Sequence, residues 1–188
     1  MRPYSIYIDP GHGGKDCGAV SLDGKYKEKD VVLDIGRLFR RCVLDGDYLF
    51  TPYITRLSDR YITLEARCKM ANERRVDAFI SLHLNSAVSP VAEGLEVWHY
   101  PGCHKSKLLA LELHLALKSA MPGIKERGVK EGNFYVLKHT NMPAALVELE
   151  FLSNPQEYAT DIQAQRRIAK GMAETVEMFL EGGYHDEG

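Results

Sequence analysis

The chain has 188 residues, 45% of them hydrophobic, enough to build one sizeable core without disulfides. A formal charge of -2, with Lys and Arg scattered among Asp and Glu, excludes the basic stripe of a nucleic-acid binder. Cys17, Cys42, Cys68 and Cys103 form no CxxC pair, so they read as reduced thiols rather than a structural metal site.

The chain does not open on a basic segment followed by a long apolar run, and no stretch of about 20 apolar residues is present to span a membrane. The expectation is a monomer made in the cytoplasm without a visible signal peptide. Residues 5–9 (SIYID) predict a first strand running into the turn-rich Pro10-Gly11-His12-Gly13-Gly14, a loop that continues to about residue 27. From 28 to 44, Val31, Val32, Ile35, Leu38, Phe39 and Cys42 recur every three or four residues. That is the stripe of an amphipathic helix whose charged face carries Arg37, Arg40 and Arg41.

A second strand is predicted at 48–55, a helix at 64–75 with Thr63 as its N-cap, and a largely apolar strand at 77–84. Further strands are expected at 94–100, 133–137 and 144–152. Helices are expected at 105–120, ended by Pro122-Gly123, and at 161–181, ended by Gly182-Gly183. Strands alternating with helices predict an α/β fold: a single three-layer domain over 1–188, its mainly parallel or mixed central sheet flanked by helices on both faces. In such sheets ligands bind beyond the carboxyl ends of the strands.

Four side chains stand out against that frame. His12 follows the first strand directly, among glycines that let the backbone approach a ligand closely, and a Gly-rich turn with an incidental histidine accounts for it equally well. Glu28 precedes the first apolar stripe, where a carboxylate also complements the helix dipole and need do nothing else. His83 lies among Ile80, Leu82 and Leu84, where an imidazole asks for a partner, and a hydrogen-bonded core histidine answers that equally well. Glu148 sits in the apolar run AALVELEFL, where an unpaired carboxylate is expensive to bury. Two imidazoles and a carboxylate make the three-ligand set of a catalytic zinc, with the fourth position left for water.

Six segments, in order, carry a resemblance to the zinc-dependent N-acetylmuramoyl-L-alanine amidases of bacterial cell-wall hydrolases and phage endolysins. They are IDPGHGGKD at 8–16, KEKDV at 27–31, Thr55-Arg56 with Asp59, SLHLN at 81–85, GLEV at 94–97, and LVE at 146–148 through FLSN at 151–154. The resemblance covers nearly the whole chain. It implies one zinc ion held by His12, Glu28 and His83, and Glu148 as the catalytic carboxylate.

The implied function is peptidoglycan hydrolysis, with zinc-activated water cleaving the amide between the lactyl group of N-acetylmuramic acid and the L-alanine of the stem peptide. Glu148 would serve as general base and then general acid. Another zinc-dependent peptidase of wall peptides is the alternative, and a non-catalytic peptidoglycan-binding module a further one. No separate wall-binding domain is expected, and release by phage or mother-cell lysis would bring the enzyme to the wall.

The family commonly has glycine where this chain has Glu150. By strand period, Glu150 points with Glu148 unless the strand ends or bulges, and it could tune the base, contact substrate, or pair with a cation such as Arg56. Arg56, Asn85 and His139 are further candidates for substrate contact. Plainer roles are equally open: Arg56 in a surface ion pair with Asp59, Asn85 capping a turn, His139 solvated. His99, His104, His114 and His185 read as strand, loop, helix-face and tail residues.

Overall fold

In the computed structural model, which describes residues 3–89, 91–155 and 157–182, the apolar strands assemble into one sheet. Gly183 and His185 lie outside the described residues. Strands β1 (Tyr4–Pro10), β2 (Phe50–Ile54), β3 (Ala78–Asn85), β4 (Leu95–His99), β5 (Glu126–Glu131) and β6 (Ala144–Phe151) take the order β2-β1-β3-β6-β4-β5. The pairs from β2 through β6 are parallel, β6 and β4 are antiparallel, and β4 and β5 are parallel, so the sheet is mixed.

Helices α1 (Glu28–Asp45), α3 (His104–Ala120) and α6 (Ile162–Glu181) cover one face. The predicted stripe of α1 explains its side of that layer, because Val31, Val32, Ile35 and Phe39 all enter the core beside Leu109 and Leu113 of α3 and Met172 and Val176 of α6. Helices α2 (Leu64–Arg74) and α4 (Tyr135–His139) cover the other face, with Cys68, Ala71, Val136 and Leu137 packed on Tyr7, Phe79 and Leu146. Thr63 caps α2 as its sequence predicts, its Oγ1 accepting the Ala66 amide at 3.2 Å. A short α5 (Glu157–Thr160) precedes α6, whose cap is Asp161. All four cysteines are free thiols.

One predicted strand is corrected. Residues 133–137 are not a strand: the sheet ends on the β4 side with β5 at Glu126–Glu131, and the chain turns into α4. The run NFYVL carries strand-forming side chains, yet Val136 and Leu137 are neighbours that both enter the core while Tyr135, Lys138 and His139 stay exposed, which is a helical face and not an alternation. The strand that is there, one of the sheet's two edges, reads ERGVKE. Its charges are what an edge strand uses to resist further pairing, and they hid it from a search for apolar alternation.

A second feature governs the site. His83 of β3 stands opposite Glu148 of β6, but Asn85 stands opposite Phe151, so three steps on β6 answer two on β3. This bulge breaks the simple period that would keep Glu148 and Glu150 equivalent.

Candidate active site

The carboxyl ends of β1 and β3 and the first turn of α1 converge on one point. His12 leaves β1 in a left-handed backbone conformation (φ 57°), uncommon for a residue with a Cβ and of the kind that gathers at functional sites. Its Nε2 lies 3.1 Å from Glu28 Oε1, and the same oxygen lies 2.9 Å from His83 Nδ1. The imidazoles meet edge to face with centroids 5.0 Å apart. Gly11 makes the approach possible, since a Cβ there would sit 2.3 Å from His83 Cε1.

These three side chains each offer a donor atom, and the atoms lie within 4.8 Å of one another. Tetrahedral zinc with bonds of about 2.0–2.2 Å separates its ligand atoms by about 3.4 Å, so the set fits a metal with only small adjustments. The supporting contacts fit as well. Asp16 Oδ2 lies 2.9 Å from His12 Nδ1, where a carboxylate would orient the ring if its Nε2 held a metal. Glu28 is held by the Leu84 amide on Oε1 at 3.0 Å and the Ala19 amide on Oε2 at 2.8 Å.

Charge is concentrated here. Burial alone would raise the Glu28 carboxyl, but hydrogen bonds from His12 and His83 outweigh it and hold Glu28 far below the usual carboxylate range. Burial pulls the His12 imidazole down while Glu28 and then Asp16 pull it up, and the net shift is upward. Glu148, across the ladder from His83, is pushed up to about 7: burial dominates, His83 opposes it, and the negative charges of Glu28 and Glu96 add to it. Its Oε2 is buried with no hydrogen-bond partner among the described residues. A carboxyl poised near neutrality beside a cleft is suited to moving protons.

The loop bearing His12 is braced from beneath by two buried arginines. Arg56, 1% exposed, donates to the carbonyls of Pro10 at 3.1 Å, Gly11 at 2.7 Å and Lys29 at 2.6 Å. Arg67 donates to Asp9 Oδ1 at 2.6 Å and to the carbonyls of Pro10 at 2.7 Å and His12 at 2.6 Å. Asp9 is completed by the hydroxyls of Thr55 and Ser81.

The structure therefore corrects the reading of Arg56 as a substrate contact or a surface partner of Asp59. Its guanidinium is spent on backbone carbonyls inside the protein, and Asp59 instead binds Lys29 Nζ at 2.7 Å and the Gly14 amide at 2.7 Å.

A cleft of about 380 Å³ opens over the site, lined by His12, His83 and Glu148 on its polar floor and by Tyr61, Leu64, Phe134 and Tyr135 on an apolar wall. The other candidates lie around it. Asn85 donates through Nδ2 to Glu96 Oε1 at 2.8 Å. His139 is exposed, stacked behind Tyr135 at 3.9 Å. Glu150 is 1% exposed and does not line the cleft, so substrate cannot reach it in this conformation. His99 is in β4, His114 in α3, and His104 opens α3 rather than lying in the loop before it.

Sequence reasoning missed Arg67, Asp16 as the partner of His12, and Glu96. Asp9 held a signal for the first: an acid in an apolar strand calls for a buried cation.

The sequence profile of the N-acetylmuramoyl-L-alanine amidases matches residues 6–178. The chain belongs to that family. The endolysin of Bacillus phage SPP1 is 36% identical over 159 residues, 82% of this chain and 57% of the phage protein. The amidase LytC of Bacillus subtilis (strain 168) is 34% identical over 156 residues, 81% of this chain and 30% of LytC. The crystal structure of an N-acetylmuramoyl-L-alanine amidase from Clostridium difficile 630 matches with a TM-score of 0.91 at 31% identity, covering 100% of each chain. The chain thus spans little more than half of one curated relative and less than a third of the other. It is an amidase domain with the fold of its solved neighbours, and among its described residues no helix is long and apolar enough to cross a membrane.

Proposed function

We propose that this amidase domain holds one zinc ion through His12, Glu28 and His83 and uses Glu148 to cleave the amide between the lactyl group of N-acetylmuramic acid and the L-alanine of the stem peptide. The observation that carries the reading is the convergence of His12 Nε2 and His83 Nδ1 on Glu28 Oε1, with Glu148 across the ladder from His83. When bound, zinc supplies a Lewis acid that polarises the scissile carbonyl and brings the pKa of water toward about 7.

The protein's own groups do the rest. Asp16 keeps the His12 ring turned toward the site, and Arg56 and Arg67 keep its loop in place. Glu148 Oε2 accepts the proton of the attacking water and returns it to the departing alanine nitrogen, so one carboxyl is base and then acid. Its setting favours both tasks, because a carboxyl near neutrality gives up a proton about as readily as it takes one. The bond lies in the cell wall, and the likeness to a phage endolysin supports a wall-lytic role.

Digestion of purified peptidoglycan, with and without a zinc chelator, tests this by mass spectrometry. The expected products are stem peptides with an unblocked N-terminal alanine, lost on chelation and restored by zinc. Cuts within the stem would assign the chain to the peptidases. No cleavage of several wall types by the zinc-loaded protein would refute an enzymatic role.

A further inference from the structure

The GLEV segment, counted among the motifs but given no role in the chemistry, builds a cationic ledge beside the cleft. Glu96 of β4 stands opposite Glu148 of β6 in an antiparallel pair, which puts the two side chains on the same face about 5 Å apart at Cβ. Glu96 is 4% exposed, and its Oε2 accepts from both Arg127 Nε at 2.7 Å and Lys130 Nζ at 2.6 Å. Its Oε1 accepts from Asn85 Nδ2 at 2.8 Å and from Trp98 Nε1 at 3.3 Å.

One buried carboxylate thus anchors two cations, leaving a net charge of +1. Both cations keep about a third of their side-chain surface exposed, 35% for Arg127 and 32% for Lys130, and both keep unused N–H donors. Aromatic faces also hold their charged heads: Arg127 Cζ lies 5.0 Å from the centroid of the Phe151 ring and Lys130 Nζ 5.1 Å from that of Trp98. Trp98 in turn meets Phe134 of the cleft wall edge to face at 5.3 Å. Gly94 (φ 119°) lets β5 approach this closely, since a Cβ there would lie 2.6 Å from the Lys125 carbonyl oxygen and 2.9 Å from Arg127 Cγ.

We infer that Arg127 and Lys130 form a specificity subsite for a free carboxylate on the residue that follows alanine in the stem peptide. The inference rests on the amidase reading above and adds which side of the scissile bond lies over which strand. Glu148 must reach the departing alanine nitrogen, and Glu148 lies on β6 between the histidine strands and the ledge on β4 and β5. The peptide therefore leaves across β4, and the sugar lies toward Tyr61, Leu64 and Tyr135, exposed apolar and aromatic faces suited to a ring with no charge. With the lactyl carboxyl tied up in the amide, the anion nearest the scissile bond is on the peptide side. A planar guanidinium and an ammonium held 2.6–2.7 Å from one shared oxygen present a preformed fork to it.

The test uses two muramyl tripeptides that differ only at the second residue, one with a free α-carboxylate and one with its carboxamide, hydrolysed by the zinc-loaded protein. The expected result is a kcat/KM at least about 10-fold higher for the acid, carried by KM, and a discrimination that falls several-fold in Lys130→Gln and in Arg127→Gln but survives in Lys130→Arg. Equal hydrolysis of acid and amide by the unaltered protein would overturn the subsite alone. So would glutamine variants that slow both substrates equally through kcat, the mark of a merely structural brace. Hydrolysis of neither tripeptide would overturn the amidase reading and the subsite with it.

Discussion

Replacing Arg67 by methionine keeps the bulk of the side chain and removes its charge. The guanidinium is 3% exposed and pairs at 2.6 Å with Asp9, which is 1% exposed, so the change strands a buried carboxylate, takes away the donor to the His12 carbonyl and leaves the Pro10 carbonyl with Arg56 alone. Removing one partner of a buried ion pair costs about 3–5 kcal/mol. In a domain whose total stability is of order 5–15 kcal/mol, that is a large fraction.

At about 2–4 °C per kcal/mol for this size, the melting midpoint should fall by about 6–20 °C. Urea unfolding of the purified protein gives the free energy directly. Adding Asp9→Asn to Arg67→Met should recover part of the loss, because the stranded charge is gone, and a double-mutant cycle measures the coupling. Thr55 and Ser81 still donate to residue 9, so recovery will be incomplete. An Arg67→Met midpoint within 2 °C of the parent, roughly the effect of under 1 kcal/mol, would refute the view of Arg67 as the keystone of the His12 loop.

Three further outcomes are expected. Asp16→Asn should weaken zinc binding about 10–100-fold in competition with a chromophoric chelator, since Asp16 orients the His12 ring; unchanged affinity would remove Asp16 from that role. Glu148→Gln should retain zinc while kcat falls by at least about 100-fold on muramyl peptides, and wild-type turnover would exclude Glu148 as the base. Burial holds the imidazole of His114 below its ordinary 6.5, with Lys118 adding to this and Glu126 opposing it. The unfolded chain therefore binds the proton more readily, and stability is lost as pH falls below about 6.5, by at most about 1.4 kcal/mol per pH unit from this group. His114→Leu should flatten the difference between urea midpoints at pH 7.5 and pH 5.5, and an unchanged slope would count against the burial account.

The primary structure alone determined the elements whose cause is local. The three-and-four spacing of Val31, Val32, Ile35 and Phe39 makes α1 and chooses its buried face, and Thr63 stops the chain and caps α2 through its own hydroxyl. It also pointed to His12, Glu28, His83 and Glu148, because charged and imidazole side chains beside apolar strands are costly without a partner and their order matched a known family. What it could not supply were the partners themselves.

Tertiary structure alone showed that Arg56 is an internal brace, since only folding brings the carbonyls of Pro10, Gly11 and Lys29 around it. It alone located the edge strand in the charged run ERGVKE, where pairing with β4 and the anchoring of Arg127 and Lys130 on Glu96 replace apolar alternation as the cause. And it separated Glu148 from Glu150 through a bulge that depends on the register of β3 against β6. Side-chain period is a property of one strand, whereas register, buried charge pairing and bulges are properties of two.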